Sequence, residues 1–265
     1  MIKKLINKIL KNLGNYEVRK IIPPEFSDLK SRDLETAMKI CNLLKINIKK
    51  KDFKKHKEFF EYCQKEKDYS FSQSFQDLFV CWKLEHKKEG TFIEFGADDG
   101  ILNSNSLLLE KKYDWDGILA EPNPIIQKTL NKNRNCTIEN YIISNKSNNI
   151  YKFESKIDRQ QSEIYKGGGI TPNSEIFDIK TITLNNLLEK NNIKKGFDFL
   201  SIDVEGNESA VLEGFDIDYW RPKIVVIEHN FNIDNMNLIS NFFLEKGYKK
   251  ELEFFSFNDF WFVLD

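Results

Sequence analysis

Four side chains that can do acid–base or metal chemistry follow two short apolar runs in the C-terminal half of the chain. Asp203 and Glu205 come directly after the run FDFLSI, and Glu228 and His229 come directly after the run KIVVI. We predict that both runs are buried parallel strands, whose carboxyl ends meet at one edge of a sheet. Carboxylates and a histidine gathered there can take a proton from a substrate or hold a divalent cation.

A glycine-rich turn earlier in the chain is suited to a nucleoside ligand. The segment TFIEFGADDG is predicted to be a short strand that runs into a tight turn with the pattern Glu94-x-Gly96-x-x-x-Gly100. Glycine permits the positive φ angles and the close approach to a ligand that such turns need. The turn lacks both the Gly-x-Gly-x-x-Gly dinucleotide pattern and a Gly-Lys-Ser/Thr phosphate cradle. Its acids, Asp98 and Asp99, would repel a pyrophosphate but suit the cationic sulfonium and amino group of S-adenosylmethionine.

A further acid follows the next predicted strand. Glu121 ends the apolar run GILAE. A carboxylate at the end of this strand can accept hydrogen bonds from both ribose hydroxyls of a nucleoside cofactor. Because the preceding turn has no phosphate-binding features, Glu121 favours S-adenosylmethionine over NAD as the ligand.

Five segments, taken in order, resemble the FkbM family of methyltransferases. They are 72–78 (SQSFQDL), 92–100 (FIEFGADDG) with 104–106 (SNS), 121–124 (EPNP), 183–188 (TLNNLL) and 201–208 (SIDVEGNE). The IDVEG run is the most specific of them, and the resemblance covers residues 70–265. It implies a class I methyltransferase fold, S-adenosylmethionine as methyl donor and a hydroxyl oxygen as acceptor. Ser106 stands where the family more often has threonine, and the hydroxyl is retained.

The resemblance also implies which residues contact the cofactor. Gly96 borders its methionine part, and Glu121 holds its ribose. Ser144 and Asn145 lie near the adenine, while Gln73 closes the site from the N-terminal side. The full set predicted to bind the cofactor is Gln73, Glu94, Gly96, Ala97, Gly100, Asn105, Ser106, Glu121, Pro122, Ser144 and Asp203.

Two mechanisms are open for the predicted catalytic residues, which are Asp203, Glu205, Glu228 and His229. In one, Asp203, Glu228 and His229 hold Mg²⁺ or Mn²⁺, as carboxylates do in the similar metal-dependent macrolide-sugar O-methyltransferases, and the metal lowers the pKa of the acceptor hydroxyl. In the other, no metal is present and His229 or Glu205 is the general base. An acid such as Glu205 can also merely favour a helix N-terminus.

A long glycine-rich connection lies between two strand-like segments. It contains Gly167, Gly168 and Gly169, followed by the polar run TPNS. Loops of this length in a compact domain are often lids or binding loops, so we expect it to cover the acceptor. A plain surface insertion is the alternative. Arg159 and Lys166 can meet an anionic acceptor such as a phosphate or a nucleotide-linked sugar.

The elements that carry these residues predict an α/β fold. From the glycine-rich turn onward, short apolar strands alternate with helical segments, which is typical of a mostly parallel sheet covered on both faces. Residues 136–144 are expected to form one strand, and strands at 248–257 and 260–264 to form an antiparallel C-terminal edge. With the resemblance, this predicts a class I methyltransferase (Rossmann-like) domain over residues 70–265, preceded by a helical extension over residues 1–69.

Positive charge is concentrated in the N-terminal extension. Residues 1–67 hold 18 Lys and Arg against 9 Asp and Glu, whereas the remainder holds 22 against 32, which leaves a net charge of −1. A solvated helical face explains this pattern. An anionic partner, weak membrane-surface contact through the amphipathic residues 1–13 and a homodimer interface are alternatives. Nucleic acid is not expected, since the chain lacks an Asn/Asp-Pro-Pro-Tyr/Phe motif and an aromatic-basic stripe.

The spacing of the cysteines and the length of the apolar runs bear on the cellular location of the protein. The four cysteines are scattered, which suits a reducing compartment, and they form no Cys-x-x-Cys pair or other spacing that suggests a zinc site. No apolar run has the length of a membrane span. We therefore expect a cytoplasmic enzyme that methylates a sugar or glycan precursor, such as a nucleotide-linked sugar, in bacterial capsule or surface polysaccharide biosynthesis. Another small-molecule acceptor and a noncatalytic cofactor-binding module are the alternatives.

Overall fold

The computed structural model describes residues 50–157, 162–253, 255–256 and 258–265. The chain divides into two compact units, Met1–Phe53 and Lys54–Asp265, and the described residues lie almost entirely in the second. The helical extension predicted for residues 1–69 falls mostly outside the described residues. It stays a prediction, as do the membrane contact and the homodimer interface that were given as alternatives for it. In the described part of the chain, no helix is both long and apolar enough to cross a membrane.

The strands of the unit Lys54–Asp265 form two sheets. The strands are β1 (Thr91–Phe95), β2 (Asp116–Ala120), β3 (Thr137–Glu139), β4 (Ile142–Ile143), β5 (Ile150–Ser155), β6 (Glu163–Ile164), β7 (Glu175–Ile182), β8 (Phe199–Ile202), β9 (Ile224–Glu228), β10 (Tyr248–Lys250) and β11 (Asp259–Leu264). The large sheet has the order β10-β11-β9-β8-β1-β2-β3. Its neighbouring strands are parallel except where β11 pairs with β9 and β10. The predicted mostly parallel, Rossmann-like sheet with an antiparallel C-terminal edge is confirmed.

Helices cover both faces of the large sheet. Those in the described residues are α1 (Lys50–Glu66), α2 (Gln76–Lys83), α3 (Leu107–Tyr113), α4 (Gln127–Asn133), α5 (Leu184–Lys190), α6 (Glu208–Glu213), α7 (Ile217–Trp220) and α8 (Ile233–Leu244). Successive residues of β11 point to opposite faces. Phe262 therefore packs into a core with α5, α6 and α8, whereas Trp261 stacks on Phe79 of α2, with ring centroids 4.6 Å apart. Phe59 of α1 joins that second cluster, 5.8 Å from Trp261.

The central strands are buried along their whole length because both faces are covered. Every residue of β8 (FLSI) and of β9 (IVVIE) is buried. Continuous apolar runs of this kind are typical of parallel strands in the middle of a sheet. As a result, the residues that follow these strands emerge together at one sheltered edge.

Four short strands form a second sheet, with the order β4-β7-β5-β6, that the sequence did not predict. Residues 136–144 were expected to be one strand, but they divide into β3 and β4, which pair in different sheets. The chain leaves the large sheet after Glu139, whose buried carboxylate accepts hydrogen bonds from Lys190 Nζ (2.7 Å) and Asn191 Nδ2 (2.9 Å). Because these partners lie far along the chain, a local pattern cannot indicate the division.

The C-terminal edge is shorter than predicted. A strand was expected over residues 248–257, but β10 ends at Lys250. Leu252 then adopts a φ of +51°, a left-handed conformation that is incompatible with a β-strand. β11 forms as expected, beginning one residue earlier, and lies between β9 and β10.

Candidate active site

The glycine turn after β1 lies against the backbone after β8. Gly96 has a φ of +74°, and a Cβ atom at this position would lie 2.2 Å from the carbonyl oxygen of Asp203. No side chain fits at that distance, so glycine is required for the two strand ends to approach each other. The turn predicted to hold the cofactor and the segment that carries the predicted catalytic acids are thus in direct backbone contact.

Glu94 lies buried beneath the glycine turn, and protein donors surround its carboxylate. It accepts hydrogen bonds from Ser104 Oγ (3.1 Å), the Asn105 N–H (2.7 Å) and Ser106 Oγ. These bonds satisfy both oxygens of an acid that lies in an otherwise apolar strand. Glu94 therefore shapes the loop from below, together with Ser106, which was also predicted to contact the cofactor.

Arg134 is buried in the same network and was not singled out from the sequence. Its guanidinium donates to Ser106 Oγ (2.8 Å), Glu110 Oε2 (2.7 Å) and the Gly100 carbonyl (3.2 Å). A Cβ atom on Gly100 would lie 2.6 Å from Arg134 Cγ, so this second glycine makes room for the arginine. Glu94 and Glu110 compensate its buried charge. No local sequence pattern marks an arginine 28 residues after Ser106 as its partner.

Glu121, at the end of β2, is buried and fixes the tip of the glycine turn. Its Oε2 accepts a hydrogen bond from the Asp98 N–H (2.9 Å), and its Oε1 accepts one from the Asn123 N–H (2.8 Å). An ionised carboxylate can accept about four hydrogen bonds, so these two are compatible with additional ribose contacts. Glu121, the residue predicted to bind the ribose, thus lies against the glycine turn.

Asn105 ties the loop to β8. Its Nδ2 donates to Ser201 Oγ (2.9 Å), while its backbone N–H donates to Glu94. The buried Oδ1 of Asn105 has no hydrogen-bond partner among the described residues. Buried polar atoms are almost always hydrogen-bonded, so this oxygen is suited to accept a bond from a ligand.

The other predicted cofactor residues are more scattered. Ser144 is buried, and its backbone N–H donates to the Ile182 carbonyl (3.0 Å) where β4 meets β7. Asn145 Nδ2 donates to Glu213 Oε2 of α6 (2.6 Å). Ala97 is buried, Pro122 is half-buried, and Gln73 is exposed in the turn before α2.

Three carboxylates meet at the adjoining ends of β8 and β9. One oxygen from each of Asp203, Glu205 and Glu228 lies within 4.8 Å of the others. Asp203 and Glu205 are half-buried, and Glu228 is buried. The parallel pairing of β8 with β9, which the sequence predicts, brings them together. We refer to these three residues as the acid cluster.

Burial and mutual repulsion raise the pKa values of two members of the acid cluster, Asp203 and Glu228. Removal from water raises the pKa of Asp203 well above its usual range, and the neighbouring Glu228 carboxylate adds to this shift. Burial and the Glu205 carboxylate raise the pKa of Glu228 to about 8. Asp203 and Glu228 share a hydrogen bond, so one proton held between them removes a negative charge from the cluster. The amides of Asn258 (2.8 Å) and Asn230 (2.6 Å) donate to Glu228 and orient it.

His229 turns toward the core, away from the acid cluster. Its ring is buried 4.3 Å from the ring of Phe260, and its Nδ1 accepts a hydrogen bond from the Phe231 N–H (3.1 Å). Burial lowers the pKa of His229 to about 4, so the ring is neutral at pH 7. Consecutive residues at a strand end point to opposite faces, which separates His229 from Glu228. Among the described residues, the side chains grouped for a metal are therefore the acid cluster, with Glu205 in the place predicted for His229.

Two further polar residues surround the acid cluster without having been singled out from the sequence. Asp259 lies opposite Glu228 in the register of β11 and β9, and its charge contributes to the raised pKa of Glu228. Gln76 Nε2 donates to Asp259 Oδ2 (2.7 Å), and burial raises the pKa of Asp259 to about 6. Gln76 lies within the SQSFQDL segment, and the resemblance of this segment to the FkbM family was a sequence signal that could have identified the residue. Asp259 had no signal, because only the pairing of β11 brings it to the site.

The glycine-rich loop between β6 and β7 reaches the turn that bears the acids. Gly167 and Gly168 have positive φ angles, and no atom lies within 4 Å of a Cβ placed on either. Lys166, which precedes them, has its Nζ 3.7 Å from a Cβ placed on Gly206, the residue after Glu205. This position agrees with the predicted lid over the acceptor, which stays a prediction. Arg159, the other predicted anion contact, lies outside the described residues.

Comparison with known families identifies the chain. The family model described as the Methyltransferase FkbM domain matches residues 94–250. The match covers more than half of the 265 residues and includes the glycine turn, Glu121 and the acid cluster. The chain therefore belongs to the FkbM family of methyltransferases, as the sequence motifs predicted. No curated protein matches the chain significantly.

Solved structures of other methyltransferases are similar at low sequence identity. The O-methyltransferase from Bacillus cereus in complex with SAH gives a TM-score of 0.41 at 14% identity, over 88% of this chain and 100% of that chain. Precorrin-6y C5,15-methyltransferase from Geobacter metallireducens gives 0.40 at 13%, over 71% and 85%. A TehB-like SAM-dependent methyltransferase from Corynebacterium glutamicum gives 0.39 at 8%, over 79% and 98%. At scores this low, the assignment of the family rests on the family match.

Replacing Glu228 by glutamine tests the proton that it shares with Asp203. A carboxyl group whose pKa is raised on folding contributes stability below its ordinary pKa, and this stability is lost as the pH rises through the folded value. From roughly pH 5 to roughly pH 9, in EDTA, we expect the wild type to lose at least about 2 kcal/mol of unfolding free energy relative to Glu228→Gln, on a scale of about 1.4 kcal/mol per pKa unit. Denaturant unfolding at several pH values measures this difference. Parallel pH profiles for the two proteins would contradict the raised pKa.

Proposed function

We propose that this FkbM-family methyltransferase transfers the methyl group of S-adenosylmethionine to a hydroxyl oxygen of a sugar or glycan precursor. The observation that carries the proposal is the contact between the glycine turn and the acid cluster. Gly96 packs on the Asp203 carbonyl, while the Asp203 carboxylate shares a hydrogen bond with Glu228. A methyl donor bound at the turn then lies beside groups that can take the proton of an alcohol.

The charge around the glycine turn supports S-adenosylmethionine as the donor. Asp98, Asp99 and Glu121 surround the turn with negative charge, which attracts the sulfonium and the amino group of that cofactor. We propose that Glu121, which accepts a hydrogen bond from the Asp98 N–H, also accepts the ribose hydroxyls. The unpartnered Oδ1 of Asn105 offers a further acceptor for the cofactor amino group.

The acid cluster supports an oxygen acceptor. Methyl transfer is an in-line displacement in which an O–CH₃ bond forms as the S–CH₃ bond breaks, and S-adenosylhomocysteine leaves as a neutral thioether. The hydroxyl proton passes to the Asp203–Glu228 pair once the pair has lost its own proton. The raised pKa values match such a base to an operating pH near 7 to 8. Alignment of the reactants contributes about 7–11 kcal/mol, and a general base about 10²–10⁴ in rate.

A divalent cation at the acid cluster is the second candidate mechanism. Its support is the grouping of three carboxylate oxygens within 4.8 Å, since Mg²⁺ and Mn²⁺ prefer oxygen ligands. Asp203, Glu205 and Glu228 would hold the ion, in preference to His229, whose Nδ1 is occupied by a backbone N–H. Such an ion would lower the pKa of the acceptor hydroxyl, in place of the proton-accepting role of the carboxylate pair.

The family resemblance and the site's chemistry both support an acceptor of this class, a sugar or glycan precursor. A nucleotide-linked sugar of bacterial capsule or surface polysaccharide biosynthesis, in the cytoplasm, fits an enzyme that needs a base for an uncharged alcohol. A phosphate-containing or other small molecule is the alternative acceptor. A noncatalytic cofactor-binding module is less consistent with a cluster of acids whose pKa values are raised beside the cofactor turn, because such shifts are typical of active sites.

Replacing Glu121 by alanine tests the cofactor site. Loss of the ribose acceptor is expected to weaken S-adenosylhomocysteine binding at least about tenfold, which corresponds to about 1.4 kcal/mol. Asp116→Ala, at the opposite and exposed end of β2, is the matched control and should bind as the wild type does. Isothermal titration calorimetry measures both. Tight binding of NAD by the wild type, with none of S-adenosylhomocysteine, would refute the proposal.

Replacing Asp203 by asparagine tests the acceptor side. The amide keeps the shape of the side chain but cannot take a proton, so kcat should fall at least about 100-fold. The assay follows radiolabelled methyl transfer to a panel of neutral sugars, sugar phosphates and nucleotide sugars. Asp178→Asn, an exposed acid of β7, is the control and should turn over normally. Undiminished turnover by Asp203→Asn would remove Asp203 from the mechanism.

Chelation separates the two mechanisms. With the carboxylate pair as base, methyl transfer in EDTA should stay within about twofold of its rate without chelator, since no ion takes part in the proton transfer. Loss of activity in EDTA that Mg²⁺ or Mn²⁺ restores would instead establish the metal mechanism. Inductively coupled plasma mass spectrometry of the purified protein provides the matching measurement of bound metal.

A further inference from the structure

The second sheet holds the backbone of Lys166 in place, although the side chain of Lys166 is exposed. The strand β6 pairs with β5, and the Tyr165 N–H continues this pairing by donating to the Lys152 carbonyl (2.8 Å). Lys166 therefore leaves the sheet at a fixed point. The position of its backbone is thus set before the three glycines, 167–169, begin.

The rest of the loop is closed on itself by hydrogen bonds. Tyr165 Oη donates to the Gly168 carbonyl (2.6 Å). At the far end, Glu154 accepts hydrogen bonds from the Thr171 N–H (2.6 Å) and from Ser174 Oγ (2.6 Å). Hydrogen bonds at both ends thus restrain the glycine-rich loop. Lys166 is the first residue of this loop.

The ammonium group of Lys166 lies over the turn of the acid cluster. Its Nζ is 3.7 Å from a Cβ placed on Gly206, which directly follows Glu205 and has a φ of +90°. The absence of a side chain at Gly206 leaves the space beneath the ammonium open. Within the described part of the chain, no ion pair involves Lys166. By contrast, Lys152 of β5 pairs with Asp178, and Lys156, the residue after β5, pairs with Glu163.

We propose that Lys166 binds an anionic group of the acceptor, a phosphate or a carboxylate, and so determines specificity for charged acceptors. This inference rests on the proposed function, because it takes the acid cluster as the place where the acceptor hydroxyl lies. A hydroxyl that reaches Asp203 puts the neighbouring substituents of the acceptor near Gly206, below the lysine. A lysine ammonium is a compact charge with three donors, which suits anionic oxygens.

A neutral acceptor would gain little from this arrangement. An exposed ammonium group is hydrated, and an anionic ligand can replace that water with charge-assisted hydrogen bonds. The carboxylates of the acid cluster would repel an anion, so a cation is needed on the acceptor's path to offset them. Lys166 supplies this charge from the loop side of Gly206.

Calorimetry with named anions tests the role of Lys166. The protein is first saturated with S-adenosylhomocysteine, and is then titrated with uridine diphosphate, inorganic pyrophosphate or glucuronate. We expect at least one of these probes to bind the wild type and to bind Lys166→Ala at least about tenfold more weakly, as for a lost charge-assisted hydrogen bond. Lys166→Arg should stay within about threefold of the wild type because it keeps the charge. Binding of the phosphate probes alone, or of glucuronate alone, identifies the source of the anionic group.

Lys180→Ala is the matched control, since Lys180 is an exposed lysine of β7 in the same sheet. It should bind the probes within about twofold of the wild type, given the small effect of a distant exposed charge. Equal binding by the wild type and Lys166→Ala would overturn the inference, as would failure of the wild type to bind any of the three anions. The first titration, with S-adenosylhomocysteine, reports separately on the proposed function. If that titration fails while Lys166-dependent anion binding persists, the methyl-transfer assignment falls and the anion site stands.

Discussion

The contact between Gly96 and the backbone of Asp203 is the constraint on which the rest of the site depends. It joins the ends of β1 and β8 so closely that a single added carbon at Gly96 would lie 2.2 Å from an oxygen. Under the proposed function, a cofactor held by the glycine turn would lie directly beside the acids that follow β8. The parallel pairing of β8 with β9 then adds Glu228 to the same edge. Under the proposed function, the sheet itself therefore couples cofactor binding to the acceptor chemistry.

The glycine turn is held from below by a buried network of ions. Glu94 and Arg134 are both almost fully buried, and each finds several hydrogen-bond partners around Ser106. Burying two charges in this way contributes little net stability, because the cost of removing them from water offsets their attraction. What the network provides is a defined conformation of the loop over residues 100–106. Removing Arg134 alone would leave the buried charge of Glu94 without a cation, which is far more destabilising than losing both residues.

The sequence predicted the parts of the site that depend on strand order, and missed those that depend on long-range contacts. Asp203 and Glu228 were predicted together because each follows a continuous apolar run, and such runs are adjacent parallel strands. Arg134 and Asp259 were missed, since their positions depend on the packing of α4 and on the pairing of β11. His229 was grouped with the acids because it follows Glu228, but alternation along a strand turns its ring to Phe260. The second sheet was also missed because it depends on contacts between residues that lie far apart along the chain.

Under the proposed mechanism, the charge of the cofactor and the proton on the acid cluster are linked. The Asp203–Glu228 pair retains a proton because its two carboxylates repel each other in a site removed from water. A sulfonium cation bound at the adjacent glycine turn favours the ionised form of the pair, so binding the methyl donor prepares the base. When the methyl group leaves, the sulfur becomes neutral, and the pair regains a proton from the acceptor. The site therefore begins and ends the step with the same net charge.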